Sequence, residues 1–296
     1  MVSSISTVAF SELAANLQKV AAWLGDLGID EPRTRLGHYR RVMNQLADAH
    51  AHGDTDALRA LWPSSMVPLF EAEELVGIHQ WLSGPEHDGY VRERMRMVAS
   101  GPPSYTDENT SSGNRARNTA FELAVAARIV GGGLQLDRSV PSDVAVRVAT
   151  CTVVVECKRP QSEDALERNV DDARHQLRKR YKSASRPGSV GMIAVDLTKI
   201  LNPNHDLLGG FPEAEIGKVL GGALEDYSRE HERVWQKNRD RQTAAVLLRL
   251  NVMAQLADET GLTSCQQVLV SFLPDISEVT RRAIQVVGSG FVRAFR

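Results

Sequence analysis

Through the first hundred residues apolar side chains recur every three or four positions, the spacing of helices that each bury one face. Residues 11–27 place Leu13, Leu17, Val20, Ala21 and Leu24 on one stripe, with Ser11 positioned to cap the first turn. Residues 34–52 continue the pattern with Leu36, Tyr39, Val42, Met43 and Leu46. Two further helices are expected over 56–62 and 68–81, broken near Pro63 because proline brings no backbone N–H, and another over 90–98. Residues 100–114, rich in Ser, Gly, Pro, Thr and Asn, then read as a linker.

Beyond that linker the periodicity alternates between 3.6 and 2. A helix over 115–130 stops at Gly131, Gly132 and Gly133. Valine-rich strands follow over 134–140, 143–148 and 152–158, the last closed by Pro160. A helix over 163–184, a buried strand over 189–197, a helix or helix pair over 213–240, strands over 243–254 and 267–273, and a closing helix over 277–286 complete the order. The expected organisation is an all-helical N-terminal domain, residues 1–105, with an accessory, binding or oligomerisation role. An α/β domain, residues 106–296, with a central mixed β-sheet flanked by helices, follows it.

Composition narrows the class. With 42% hydrophobic, 24% charged and only 5% aromatic residues, the chain reads as soluble globular material with an aliphatic core. No apolar run approaches the ~20 residues of a membrane-spanning helix, so no membrane partner is expected. The N-terminus lacks the pattern of a secretory signal. Cys151, Cys157 and Cys265 are odd in number and form no CxxC pair, which fits a reducing, cytoplasmic setting. A net charge of −2 argues against coating nucleic acid by charge alone, but not against an enzyme that acts on it.

Candidate chemistry concentrates in VPSDVAVRVATCTVVVECKRP, residues 140–160. A hairpin turning at Thr150 and Cys151 sets Asp143 opposite Lys158 and Ala145 opposite Glu156. By alternation, Asp143, Ala145 and Arg147 share a face with Val154, Glu156 and Lys158. Val144, Val146, Val148, Val153, Val155 and Cys157 form the other face, wholly apolar and therefore core. A slip of one residue on one strand moves Asp143 off the polar face. Two carboxylates on adjacent strands suit Mg²⁺, with Mn²⁺ as substitute, because hard cations prefer oxygen ligands. Such an ion lowers the pKa of a bound water, and a lysine beside it orients that water and offsets transition-state charge. The backbone carbonyl of Cys157 offers a further metal oxygen, while its thiol points into the core.

Pro141-Ser142-Asp143, twelve residues, then Glu156-Cys157-Lys158 at the end of a valine strand resembles the PD-(D/E)XK nuclease superfamily. The resemblance spans roughly residues 115–197 and implies a restriction-endonuclease-like core. It gives Asp143 and Glu156 metal-binding roles and Lys158 a water-positioning one. Glu122, in RNTAFELAVAARIV, is similar to the auxiliary glutamate that family members often carry on the preceding helix. Gln176 and Tyr181 are similar to a glutamine and tyrosine of some branches, at a spacing one residue longer. The implied function is Mg²⁺-dependent hydrolysis of phosphodiester bonds in nucleic acid, DNA first, in restriction or antiviral defence or in repair, and, as in many such nucleases, a homodimer is a form it could take. The alternatives are an RNA- or junction-directed nuclease and a catalytically silent nucleic-acid-binding or assembly module of the same fold.

Six basic residues and no acid lie between 174 and 186: Arg174, Arg178, Lys179, Arg180, Lys182 and Arg186. Beside the candidate site they read as a phosphate-contacting ridge, since neutralised phosphates supply most sequence-independent affinity. His50 and His52 point to different helix faces and do not read as a metal pair.

Overall fold

The computed structural model describes residues 2–7, 9–104, 111–183, 188–256 and 262–293. The chain forms two compact units, Thr7–Ala127 and Met1–Ser6 with Arg128–Arg296. The division falls within a helix rather than in the linker at residue 105, and the first six residues belong with the α/β unit. They do so because the chain opens with an unexpected strand, β1 (Val2–Thr7), that adds to the edge of the sheet.

The helical unit comprises α1 (Phe10–Asp26), α2 (Arg35–Ala51), α3 (Thr55–Leu82), α4 (Asp88–Ala99) and most of α5 (Ser111–Gly131). In α1 the buried stripe is Leu13, Leu17, Val20, Trp23 and Leu24. Its first turn starts at Phe10, so Ser11 lies inside the helix instead of capping it. Thr34 and Asp54 do cap, accepting from the backbone N–H groups of Leu36 and Ala57. The break expected near Pro63 is absent: α3 runs unbroken through Pro63 and Pro68. An internal proline costs about 3 kcal/mol. The buried side chains from Met66 to Leu82 each return about 1.5–3 kcal/mol, which outweighs it. Buried Glu71 is held by Arg35 and Arg117, each at 2.6 Å, an arrangement that gives both buried guanidiniums a carboxylate partner.

In the α/β unit α5 ends at the expected glycine turn, where Gly133 takes φ 82°. Then come β2 (Gln135–Leu136), β3 (Val144–Val148), β4 (Cys151–Lys158), α6 (Glu163–Ser183), β5 (Val190–Asp196), α7 (Thr198–Leu201) and β6 (Leu208–Phe211). The unit finishes with α8 (Glu213–Glu230), α9 (Glu232–Gln236), β7 (Thr243–Leu256), β8 (Leu262–Phe272) and α10 (Glu278–Arg293). The first expected strand shrinks to two residues, α7 and β6 are additional, and β8 begins five residues before the expected 267. The sheet is mixed, in the order β1-β8-β7-β5-β4-β3-β2, with β6 also on β7. Strands β4, β5 and β7 run parallel, and β2–β3–β4 and β7–β8 are antiparallel.

β3 and β5 pair both edges of β4, and helices cover both of its faces. On one side Ala145, Val154, Ile193, Val195, Val246 and Leu248 meet Leu166, Val170, Ala173 and Leu177 of α6 and Leu220 and Leu224 of α8. On the other, Val144, Val146, Val153, Val155 and Cys157 are buried as expected, and α10 packs against β3, β4 and β7. The face that carries Glu156 is thus a second core face, and the polar group sits at its end. Helix α6 approaches β5 closely at Gly191, where an added side chain would collide with the Tyr181 hydroxyl. Tyr181 accordingly packs against the core and not into the polar group.

Candidate active site

The hairpin turns at Ala149 and Thr150, one residue earlier than expected, with Ala149 at φ 48°. A positive φ is uncommon for alanine, and no Asn-Gly or Asp-Gly marks the position. Val144 therefore pairs with Val155 and Ala145 with Val154, a register displaced by two residues from the expected one. Asp143 consequently faces Glu156 rather than Lys158. Two residues is one full period of a strand, so every side chain keeps its expected face. Asp143 is anchored across the gap, its Oδ2 accepting from the Cys157 backbone N–H at 2.8 Å.

Glu156 is completely buried. Its Oε1 accepts from Arg180 Nε at 3.4 Å, while its Oε2 has no hydrogen-bond donor among the described residues. Burial pushes its carboxyl up to about 8, with the neighbouring Asp143 charge adding to the rise and Arg180 and Lys158 opposing it. Two carboxylates this close need a shared proton or a cation between them. Lys158 Nζ donates to Gln176 Oε1 at 2.5 Å. Gln176 and Arg180 lie one turn apart on α6 and so share a helix face. The structure brings Asp143, Glu156, Lys158, Gln176 and Arg180 together, and the extra residue between Gln176 and Tyr181 leaves Gln176 in place.

The donor set suits a hard divalent cation: carboxylate oxygens from two adjacent strands, one of them buried without a donor. Among the described residues no group of three or more His, Cys, Asp or Glu side chains clusters to hold a metal, so Asp143 and Glu156 would need water, substrate or backbone oxygens to complete a shell. Glu122 belongs to the helical unit, where its carboxylate lies 3.9 Å from Arg94 and lines a groove of about 1300 Å³.

The expected basic ridge divides. Arg174 is not part of it: fully buried, it pairs with Asp171 at 2.9 Å and donates to the carbonyls of Val234 and Trp235 at 2.6 Å. Arg178 and Lys179 are exposed on α6. Arg180 turns to Glu156. The side chain of Lys182, and Arg186 altogether, lie outside the described residues.

Sequence reasoning did not anticipate a second buried ionic group within the α/β unit, at the ends of β5 and β7. Asp196 lies 3.9 Å from Arg159 and accepts from the Thr198 backbone N–H at 2.9 Å, in register with Arg249. Burial opposes ionisation of Asp196, but Arg249, Arg159 and Thr198 together hold its carboxyl below the ordinary range. The available signal was arginine within the apolar run of β7, a position that burial permits only with a partner.

Among the described residues no helix is long and apolar enough to cross a membrane. Compared with known proteins, the chain matches no family model, no curated protein and no solved structure.

Proposed function

We propose that this chain is a metal-dependent nuclease, hydrolysing phosphodiester bonds in nucleic acid, with DNA as first substrate and a site of the PD-(D/E)XK type. The observation that carries the reading is the carboxylate pair of half-buried Asp143 and fully buried Glu156, whose Oε2 has no donor among the described residues, beside a lysine that another side chain orients. A structural acid pair gains nothing from this arrangement, since buried like charges destabilise a fold.

Asp143 and Glu156 would hold Mg²⁺ or Mn²⁺, aided by the Cys157 carbonyl. When bound, the ion supplies a water of lowered pKa and charge stabilisation at phosphorus. Glu156 would have to be ionised for its carboxylate to hold the ion. Lys158, fixed by Gln176, directs its ammonium to the attacking water and to the charge that grows on the phosphoryl oxygens. Arg178 and Lys179, exposed on the same helix, meet the phosphate backbone. Cutting both strands of a duplex with one site per protomer calls for two copies.

The test is cleavage of supercoiled plasmid, linear duplex, single-stranded DNA and RNA with Mg²⁺ or Mn²⁺, each with EDTA controls. Wild type is compared with Glu156→Ala and Lys158→Ala. Metal-dependent cutting lost in both variants supports the site, and the preferred substrate identifies the nucleic acid. Cutting that survives both substitutions defeats it, and metal binding without cutting of any substrate favours a silent module.

A further inference from the structure

We infer that Arg180 is the phosphate-binding residue of this site, held on Glu156 while no cation is bound and handed to the substrate when one is. Resting on the metal-dependent reading above, the idea begins with how α6 meets β4. Gln176 and Arg180 are four apart on the helix, and Glu156 and Lys158 are two apart on the strand. Each helix residue meets one strand residue, Gln176 with Lys158 and Arg180 with Glu156. The two arms differ. The lysine arm is a short, 2.5 Å bond to a neutral amide. The arginine arm meets Oε1 of Glu156 through Nε at a longer 3.4 Å, and Oε2 is without a donor among the described residues.

Charge balance gives the reason for a loose arm. The site combines two acids, Asp143 and Glu156, with two cations, Lys158 and Arg180. A divalent ion on the carboxylates leaves a surplus of two positive charges, which matches the charge that a phosphodiester reaches as its bond breaks. An arginine stays protonated throughout and presents a planar fork suited to phosphate oxygens. Arg180 also has the exposure for the move: its side chain is 32% accessible, whereas Glu156 is wholly enclosed. Arg174, on the same helix, cannot serve, being fixed to Asp171 and to two backbone carbonyls. Arg178 and Lys179 are exposed, and neither has an ion pair with the acid pair.

The experiment uses the full chain stripped with EDTA and measures Mn²⁺ binding by calorimetry for wild type, Arg180→Gln and Arg180→Lys. Single-turnover cleavage of the best substrate is measured beside it. A cation within ~4–6 Å of a carboxylate weakens its hold on other cations by about tenfold or more. Arg180→Gln should therefore bind Mn²⁺ about tenfold more tightly, yet cleave about 100-fold more slowly at saturating metal. Arg180→Lys should keep near-wild-type metal affinity and recover part of the rate. A merely structural role for Arg180 predicts the reverse, with metal affinity and rate lost together. That result, or unimpaired cleavage by Arg180→Gln, overturns the inference while leaving the nuclease reading intact. Wild type that binds Mn²⁺ but cuts nothing overturns the nuclease reading, and a tighter Arg180→Gln then still shows that arginine and metal compete for Glu156.

Discussion

Glu156 and Asp196 are both buried acids on neighbouring strands of one sheet, yet their surroundings drive them in opposite directions. Asp196 ends β5 between Arg249 of β7 and Arg159 just past the end of β4, with a backbone N–H on its oxygen, and its carboxyl is held below the ordinary range. Glu156, near the end of β4, faces a second acid and lacks a donor on Oε2, and its carboxyl is pushed far up. Burial is therefore not what separates them. The sign of the neighbouring charge is, and it separates an acid that completes the fold from one that is left ready for a ligand.

The largest way to break this contrast is to truncate each acid. Glu156→Ala should abolish metal-dependent cleavage, by about 1000-fold or more, and leave the metal-free fold at least as stable. Asp196→Ala should destabilise the fold by about 3–5 kcal/mol, because it strands Arg159 and Arg249 in the interior. Urea titration of both variants beside a cleavage assay checks the pair. Equal loss of stability in the two would erase the distinction.

Next in size is pH. Native Glu156 keeps a proton that the unfolded chain releases near 4.5, so its contribution is complete below that pH and is lost as pH rises through about 8. Asp196 works oppositely: its contribution is present above about 3.8, its unfolded value, and is lost as pH falls toward its lower native value. Glu156→Gln should flatten the alkaline limb of a melting-temperature profile, and Asp196→Asn the acid limb. Mn²⁺ should flatten the alkaline limb of wild type too, by taking the place of that proton.

Gln176→Ala should slow cleavage about tenfold with metal affinity unchanged, since it loosens Lys158 without touching either carboxylate. Kinetics at saturating metal alongside calorimetry separate the two quantities. Smallest of all, Arg178→Ala with Lys179→Ala should leave stability within about 0.5 kcal/mol. It should lower the salt dependence of duplex binding by about one ion for each phosphate that these side chains no longer neutralise.

Much of this was legible because strands and helices betray their faces by period alone. The valine runs of β3 and β4 identified the core face and the acid face, and a register off by one full period left both intact. The register itself was not legible, since its turn depends on a positive φ at Ala149 that no turn-forming residue announces. Arg174 was misassigned by counting charge along α6 and not around it: 170, 173, 174 and 177 form one helical stripe, and that stripe is buried. The unbroken α3 was hidden for a different reason. Its prolines are local signals, and the burial that overrides them comes from packing partners distant in sequence. The second ionic group needed β5 and β7 side by side, a pairing between residues some fifty positions apart.

Gly191 gives the site a spacer that can be adjusted from outside. Its missing side chain lets Tyr181 and Leu177 lie against β5, and that close approach sets the clearance between helix and sheet beside Arg180. A single methyl group at 191 is a shim one residue along the helix from the arginine arm and just over a turn from the glutamine arm. It would press on Tyr181 and Leu177, the neighbours of the two arms, while every polar group keeps its identity, so reach becomes a variable separable from chemistry.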